Sequence, residues 1–515
     1  MSSKIVDPLF RLIKSLSKSE KRHFRLYVNR LSGADTGLFM QLFDVLDKEK
    51  FYDESTLLKK IKGLKRLQIS NLKRHLYRQI LTSLRLVNTT KFVDMALREQ
   101  IDFAKILYTK GLYLQSLKIL DKAKTNARTN HQDLLELEII EFEKLIESRH
   151  ITRSIENRAD QLAIESERRN EILNATSKLS NLALRLYGLY IKVGHIRHEK
   201  DFVKIKDFFD SNLPDVNPVT LTFFEKINLY QSYVWYNYII QNFAQCFRYA
   251  TKWVDLFKDQ PDMKMVDPDL YLRGMNTLLS AAFMTGYRSK LLETLEELDV
   301  FQEKNKKSLD TNSQLLAFQY YYAAKINLHF TEGTFSEGLL LVPEIEKNLS
   351  EFKYHLDQHR LLVFYYKLAC LYFGSGDNER SLDFLNQIIQ LKAGSLREDI
   401  QCFARFLHLI AHYELGNFTL LEYLVKSVYR FLAKMEDLSQ VQQEILTFLR
   451  QTLNRRETDI EEALIQLRTR LIPLAKDPFE KRSFLYLDIL SWLDSKIEKR
   501  PVQEIVQEKY LLKQR

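Results

Sequence analysis

Glycine and proline together supply only 23 of the 515 residues in this chain, 14 Gly and 9 Pro. An average globular chain carries roughly 12% of the two combined. Sandwiches and barrels need a turn about every 8–12 residues, and doubly wound α/β folds need Gly-rich strand-to-helix loops. A chain with so few turn-formers cannot supply either. Leu, Lys, Glu, Gln and Arg dominate instead, and all of them favour helices. An all-α fold is therefore expected. With 45% apolar and 12% aromatic residues, the chain can bury a core and is not disordered.

Three cysteines, Cys246, Cys370 and Cys402, are odd in number and far apart, with no CxxC or Cys/His ligand spacing. That argues against a disulfide framework or structural zinc and fits a reducing compartment. The opening MSSKIVDPLFRLIKSL lacks the uninterrupted apolar run of a signal peptide. No stretch approaches the roughly 18 uncharged apolar residues of a membrane span. A cytoplasmic protein with no membrane partner is expected.

Charge is unevenly distributed. Residues 1–91 hold 20 Lys/Arg against 8 Asp/Glu, whereas residues 92–515 hold 57 against 59. The whole +10 excess therefore lies in the first 91 residues. Such asymmetry points to a polyanion, nucleic acid first, or to an acidic protein surface. A solvated basic face without a partner is the remaining alternative.

Beyond residue 92 the scarce glycines recur in one context: an aromatic-rich helix, Gly, then a second amphipathic helix. This pattern surrounds Gly111, Gly194, Gly286, Gly333, Gly376 and Gly416, and the last four are 47, 43 and 40 residues apart. Leu361, Phe364, Leu368, Leu371 and Tyr372 step at helical spacing before Gly376, and Leu382, Leu385, Ile388 and Ile389 do so after it. Each pair leaves an apolar stripe that only stacked neighbours can cover, as in a helical-hairpin solenoid. Gly suits the turn because a short helix–helix connection needs a residue tolerant of positive φ.

YYKLACLYFGSGDNERSLDFLNQII resembles a tetratricopeptide (TPR) repeat through Leu368, Ala369, Tyr372, Gly376 and Ser381, followed by Leu385 and Ile388. Similar units surround Gly111 (Ala104, Ser116, Leu120, Ala123) and Gly333 (Phe335, Gly338, Val342). The spacing of 40–47 exceeds the family's 34, and the family's Trp and terminal Pro are mostly missing. The resemblance implies a right-handed superhelical solenoid of antiparallel helix hairpins. Three segments follow: a small basic helical module over 1–91, a TPR-like array over 92–475, and capping helices over 476–515. Within the array, hairpins are expected over 94–129, 131–170, 172–211, 219–258, 267–303, 310–351, 355–392, 395–435 and 437–475. Pro343, inside LLLVPEIEKNL, predicts a break. The charged stretch 131–170 reads as long exposed helices laced with opposite charges.

Motifs for chemistry are scarce. The sequence contains no Gly-rich phosphate loop, GxSxG, HExxH or DxDxDG, so no catalytic residue, cofactor or metal is assigned. His355/His359 and His408/His412 have the i,i+4 spacing of a metal pair but no acidic residue placed as in a metalloprotease. No base accompanies a cysteine as a nucleophile would require.

The resemblance implies instead a groove on the concave face formed by first helices, binding a protein or peptide. Matched by register, that face would include Arg98, Lys105, Tyr108, Tyr320, Asn327, Tyr366, Tyr413 and Glu414. In the densest aromatic run, NLYQSYVWYNYIIQNF, Tyr230, Tyr233, Trp235, Tyr236 and Tyr238 occupy more than one side of a helix. Most of them pack between repeats, and the remainder can line a groove.

At the N-terminus, Ser17 and Glu20 form a capping box opening a basic helix. In LKRLQISNLKRHLYRQILTSLRL, Ile69, Leu72, Leu76, Ile80 and Leu84 share one face and Lys73, Arg74 and Arg78 lie off it. Helix, Gly-containing turn and longer basic helix are compatible with a helix-turn-helix and equally with a first helical hairpin. Lys21, Arg22, Arg25, Lys73, Arg74 and Arg78 are the candidate contacts to DNA or RNA. The expected function is that of a non-enzymatic interaction or regulatory protein. Its rival is an adaptor whose basic end docks on an acidic protein surface.

Overall fold

A computed structural model describes residues 7–30, 36–150, 157–196, 198–352, 356, 358–391, 397–433, 439–452, 457–485 and 487–514. All regular structure among them is helical, with no strand. The chain divides into two compact units, Met1–Leu173 and Asn174–Arg515.

The first unit opens with α1 (Pro8–Ser15), α2 (Lys18–Asn29), α3 (Thr36–Lys48), α4 (Glu54–Lys60) and α5 (Arg66–Asn88). Asp7 caps α1 by accepting the Phe10 N–H at 3.0 Å, with Pro8 at the first helical position, where its missing N–H costs nothing. The Ser17–Glu20 capping box forms in both directions. Phe10, Ile13, Phe24, Phe43, Leu76 and Ile80 close a core of their own. α5 is its central element. It runs antiparallel to α2, so His23 meets Ser83 and Tyr27 meets Gln79.

α6 (Val93–Thr109), α7 (Tyr113–Thr129) and α8 (Asp133–Arg149) follow, then α9 (Arg158–Val193). Here the sequence reading needs two corrections. First, no hairpin boundary falls at 170–172, because α9 is one helix of 36 residues and nothing in ERRNEILN breaks it. Second, the charged segment is not an exposed lattice. Glu136 and Glu143 are fully buried and Asp133 nearly so. Lys124 reaches Glu143 at 2.6 Å and Glu165 at 3.0 Å. Arg169 binds Glu136 at 2.7 Å and also Asp133, while Arg128 adds a second contact to Glu136 at 2.9 Å. Burial holds the Asp133 and Glu143 carboxyls above their ordinary range, against the pull of Arg169 and Lys124. Alternating charge marks a solvated face only when one side of the helix faces water. Here α8 has α7 on one side, and acidic residues on its inner sides pair with cations from α7 and α9.

The second unit contains α10 (Glu199–Asn212), α11 (Phe223–Ile239), α12 (Phe243–Asp259), α13 (Met263–Val266), α14 (Pro268–Thr285), α15 (Arg288–Asn305) and α16 (Thr311–Glu332). It continues with α17 (Phe335–Gly338), α18 (Val342–Glu351), α19 (Gln358–Ser375), α20 (Asn378–Gln390), α21 (Glu398–Glu414) and α22 (Phe418–Ala433). α23 (Gln440–Thr452), α24 (Glu457–Leu474), α25 (Ile489–Glu498) and α26 (Val502–Gln514) complete it. The break expected at Pro343 is present: α17 gives way to a 3-10 turn and α18 restarts with Pro343 in its first turn.

One turn geometry recurs in both units. The N–H two or three residues past the helix bonds the carbonyl five residues back, as in a Schellman cap. Leu112 to Leu107, Tyr287 to Ala282, Thr334 to His329, Asp377 to Tyr372 and Asn417 to His412 make this bond at 2.9–3.1 Å. The intervening residues Gly111, Gly286, Gly333, Gly376 and Gly416 all have positive φ. The same bond closes the α7–α8 and α11–α12 turns, where His131 and Gln241 take φ of 53° and 59°. Those two turns carry no Gly and were invisible to a glycine-based reading. A second contact also repeats. Ser116 donates to the Ala104 carbonyl at 2.8 Å and Ser381 to that of Ala369 at 2.9 Å. Cys246 stands in the same relation to Val234 at 3.5 Å. In these three pairs a small residue on the second helix thus locks onto the first.

The C-terminal segment returns along the turn edge of the second unit. Gln241 donates to the Pro478 carbonyl at 3.3 Å. Glu414 accepts from the Trp492 indole at 2.7 Å and from Lys496 at 2.6 Å. Ser336 bonds Gln503 at 2.8 Å, and α26 lies on α16 and α19.

Candidate functional site

A cleft of about 480 Å³ opens within the second unit. Five helices furnish most of its walls: α9, α11, α14, α16 and α19, each the leading helix of a successive group. Aromatic side chains form much of the surface, with Tyr187 and Tyr190 from α9, Trp235 and Tyr238 from α11, Trp253 from α12 and Tyr320 from α16. Tyr190 stacks on Trp235 with ring centroids 5.5 Å apart and meets Tyr238 edge-on at 5.1 Å. Trp253 has room because Gly274 lies against its indole; a Cβ there would sit 3.0 Å from Nε1.

Three arginines complete the lining: Arg273, Arg360 and Arg397. None of the described lining residues is acidic. Arg397 adopts φ of 49° just before α21. Its guanidinium grips Asp399 at 2.7 Å and lies 6.0 Å from the Tyr190 ring centre. Arg273 is exposed, and its guanidinium makes no hydrogen bond or ion pair among the described residues, acting on Asp267 only at longer range. Burial holds the phenols of Tyr190, Tyr238 and Tyr320 above their ordinary range, so they carry O–H donors at neutral pH. The Trp253 indole N–H and the Gln319 side-chain oxygen are buried without a hydrogen-bond partner.

Of the eight residues that register placed on a groove, Tyr320 alone lines this cleft. Tyr366 is 7% exposed and belongs to the largest core cluster. Asn327 accepts from Lys367. Tyr413 packs between Phe418, Phe448 and Trp492, and Glu414 is held by the returning C-terminal segment. Arg98 and Lys105 are exposed on α6 in the first unit, and Tyr108 packs on Tyr113, Phe142 and His150. The other seven residues matched by register lie outside this cleft. The aromatic run on α11 divides as expected: Tyr233 and Tyr236 pack on Phe209, while Trp235 and Tyr238 face the cleft. No residue of α9 or α14 was among the eight, although the pattern at Gly194 and Gly286 follows these two helices.

The six basic candidates of the first unit also separate. Lys73 is committed internally, to Asp7 and to the Tyr52 hydroxyl at 2.9 Å. Lys21 pairs with Asp47 at 2.7 Å and Arg25 with Asp44 at 2.9 Å. Arg22, Arg74 and Arg78 are exposed. Arg74 and Arg78 share the outer stripe of α5 with Leu67, Leu81 and Arg85, opposite its buried Leu76 and Ile80.

His408 and His412 are buried neighbours with ring centres 4.5 Å apart. No group of three or more His, Cys, Asp or Glu among the described residues could hold a metal. His355 lies outside the described residues. No helix among them is long and apolar enough to cross a membrane.

No protein-family model matches the sequence, and no curated protein resembles it significantly.

Proposed function

We propose that the second unit is a TPR-like superhelix and that the chain is a non-enzymatic interaction protein. Its cleft takes an extended peptide segment of a partner. The observation that carries this reading is the convergence of five successive leading helices on one aromatic, donor-rich cleft. Tyr and Trp offer large contact area, a polar handle and little entropy to lose, which is why they anchor interfaces. The test is selection of binders to the full-length protein from a random 12-residue peptide library. Bound peptides should lose affinity at least tenfold for the Tyr187→Ala/Trp235→Ala variant and none for Tyr429→Ala, an exposed site outside the cleft. Peptides bound equally by all three proteins would place the interaction elsewhere.

A second activity, in the first unit, is supported by charge. The first unit holds 33 Lys/Arg against 23 Asp/Glu, and the second 44 against 44. The exposed Arg74–Arg78 stripe of α5 offers the basic unit's contact to nucleic acid, with docking on an acidic protein surface as the rival.

A further inference from the structure

We propose that the cleft of the second unit selects acidic peptide segments, with Arg273 as the residue that receives a carboxylate. This rests on the peptide-groove reading above and names the chemistry of the peptide.

Charge complementarity carries the argument. The described lining bears three guanidinium groups and no carboxylate. One of them, Arg397, already has its partner in Asp399. The Arg273 guanidinium, which acts on Asp267 only at longer range, has no hydrogen-bonded or ion-pair partner among the described residues, although α14 presents it at the cleft. A guanidinium at a concave, aromatic-walled surface gains more from a carboxylate than an open one does, because the pair is partly desolvated and the planar fork can bind both oxygens. The neutral lining adds donors. The Trp253 N–H has no partner at 3% exposure, and Tyr190, Tyr238 and Tyr320 contribute hydroxyls. A donor-rich, acid-free cleft is the complement of an acceptor-rich chain.

The same facts favour a peptide over a nucleic-acid strand. Binding a polyanion draws on positive charge spread along the strand's path, and the second unit has no net charge. Only three of its 44 Lys/Arg line the cleft, too few to track the backbone of a strand. At about 480 Å³, the cleft falls within the roughly 300–1,000 Å³ of ligand sites, suited to a few residues.

The experiment uses the full-length protein and the 12-residue library. Binders selected by the wild type should be enriched in Asp and Glu. Synthetic copies with Gln and Asn at those positions should bind at least tenfold more weakly by fluorescence anisotropy. Arg273→Gln should abolish most of that difference, and Arg273→Lys should restore part of it. Selected peptides without acidic bias that still fail on Tyr187→Ala/Trp235→Ala would overturn the acidic preference and leave the groove standing. Peptides indifferent to that double variant would overturn the groove itself and this inference with it. Displacement of bound peptide from the cleft by a 16-residue oligothymidylate at equal charge concentration would overturn the choice of peptide over nucleic acid.

Discussion

Single residues show where the packing has no slack. Gly374 lies in α19, and a Cβ built there would stand 2.3 Å from the Phe335 ring. Ala gains about 1 kcal/mol over Gly in a helix interior. Forcing a buried aromatic ring aside costs about 1–3 kcal/mol, and Phe335 is 8% exposed within the largest core cluster, although it and Gly374 border a cavity of about 320 Å³. Overpacking wins, so Gly374→Ala should lower the urea midpoint; a midpoint at or above wild type would show that the ring yields. His408 supplies a pH dependence. Burial, with His412 and Arg405 adding to it, pushes its imidazole down to about 4. The unfolded chain takes up that proton near pH 6.5, so the stabilisation is complete above pH 6.5 and is lost as pH falls toward 4. The full effect amounts to about 3 kcal/mol. Melting temperature should fall between pH 7 and pH 5, and His408→Gln should flatten that fall. An unchanged slope in the variant would assign the dependence to other groups.

At the level of elements, α8 illustrates how the same charges mean different things in different places. A helix of alternating Glu and apolar residues is soluble when one side is open. When α8 is enclosed, each inward carboxylate needs a cation. Arg169 serves both Asp133 and Glu136, and removing one partner of a buried pair costs roughly 3–5 kcal/mol because a charge is left without compensation. Arg169→Met should therefore destabilise the first unit by several-fold more than Lys206→Met, which deletes an exposed pair with Asp210. Equal, small losses for both in chemical denaturation would show that water reaches the α8 carboxylates. The return of α26 depends on a similar fit. Gly333, at φ of 69°, would place a Cβ 2.4 Å from the Gln507 backbone nitrogen. Gly333→Ala should raise hydrogen exchange across Val502–Gln514 while leaving α11 and α12 protected; exchange unchanged in α26 would mean that the helix re-seats without loss.

Across the whole molecule, charge separates the two units, with +10 on the first and none on the second. If Arg74 and Arg78 contact phosphates, each releases counterions, and log affinity for duplex DNA should fall by about 0.9 per contact for each tenfold rise in salt. The full-length Arg74→Glu/Arg78→Glu variant should bind more weakly and with a shallower salt slope than wild type. Reversal of Lys304, Lys306 and Lys307, a basic cluster in the neutral unit, should matter less. Salt titrations with duplex DNA and single-stranded RNA distinguish the two nucleic acids. Identical curves for both variants would leave the acidic-protein adaptor as the function of the basic unit.

How much of this was legible beforehand depends on the range of the interaction. Helical class, the Gly-centred turns, the Ser17 cap and the break at Pro343 are local, set by propensity and by φ within a few residues, and composition and spacing were enough to read them. The repeat pattern also marked Ala104, Ser116, Ala369 and Ser381 as positions, but the Ser116–Ala104 and Ser381–Ala369 contacts came from the structure. The turns at His131 and Gln241 escaped because the caps there override an ordinary side chain's dislike of positive φ. The unbroken α9, the buried carboxylates of α8, the commitment of Lys73 to Asp7 and the withdrawal of Tyr366 and Tyr413 into the core were decided by tertiary structure. Each depends on what a distant segment places opposite a residue, and helix periodicity states only which residues share a face. The cleft belongs to this second kind: its arginines come from α14, α19 and the approach to α21, and only folding brings them together.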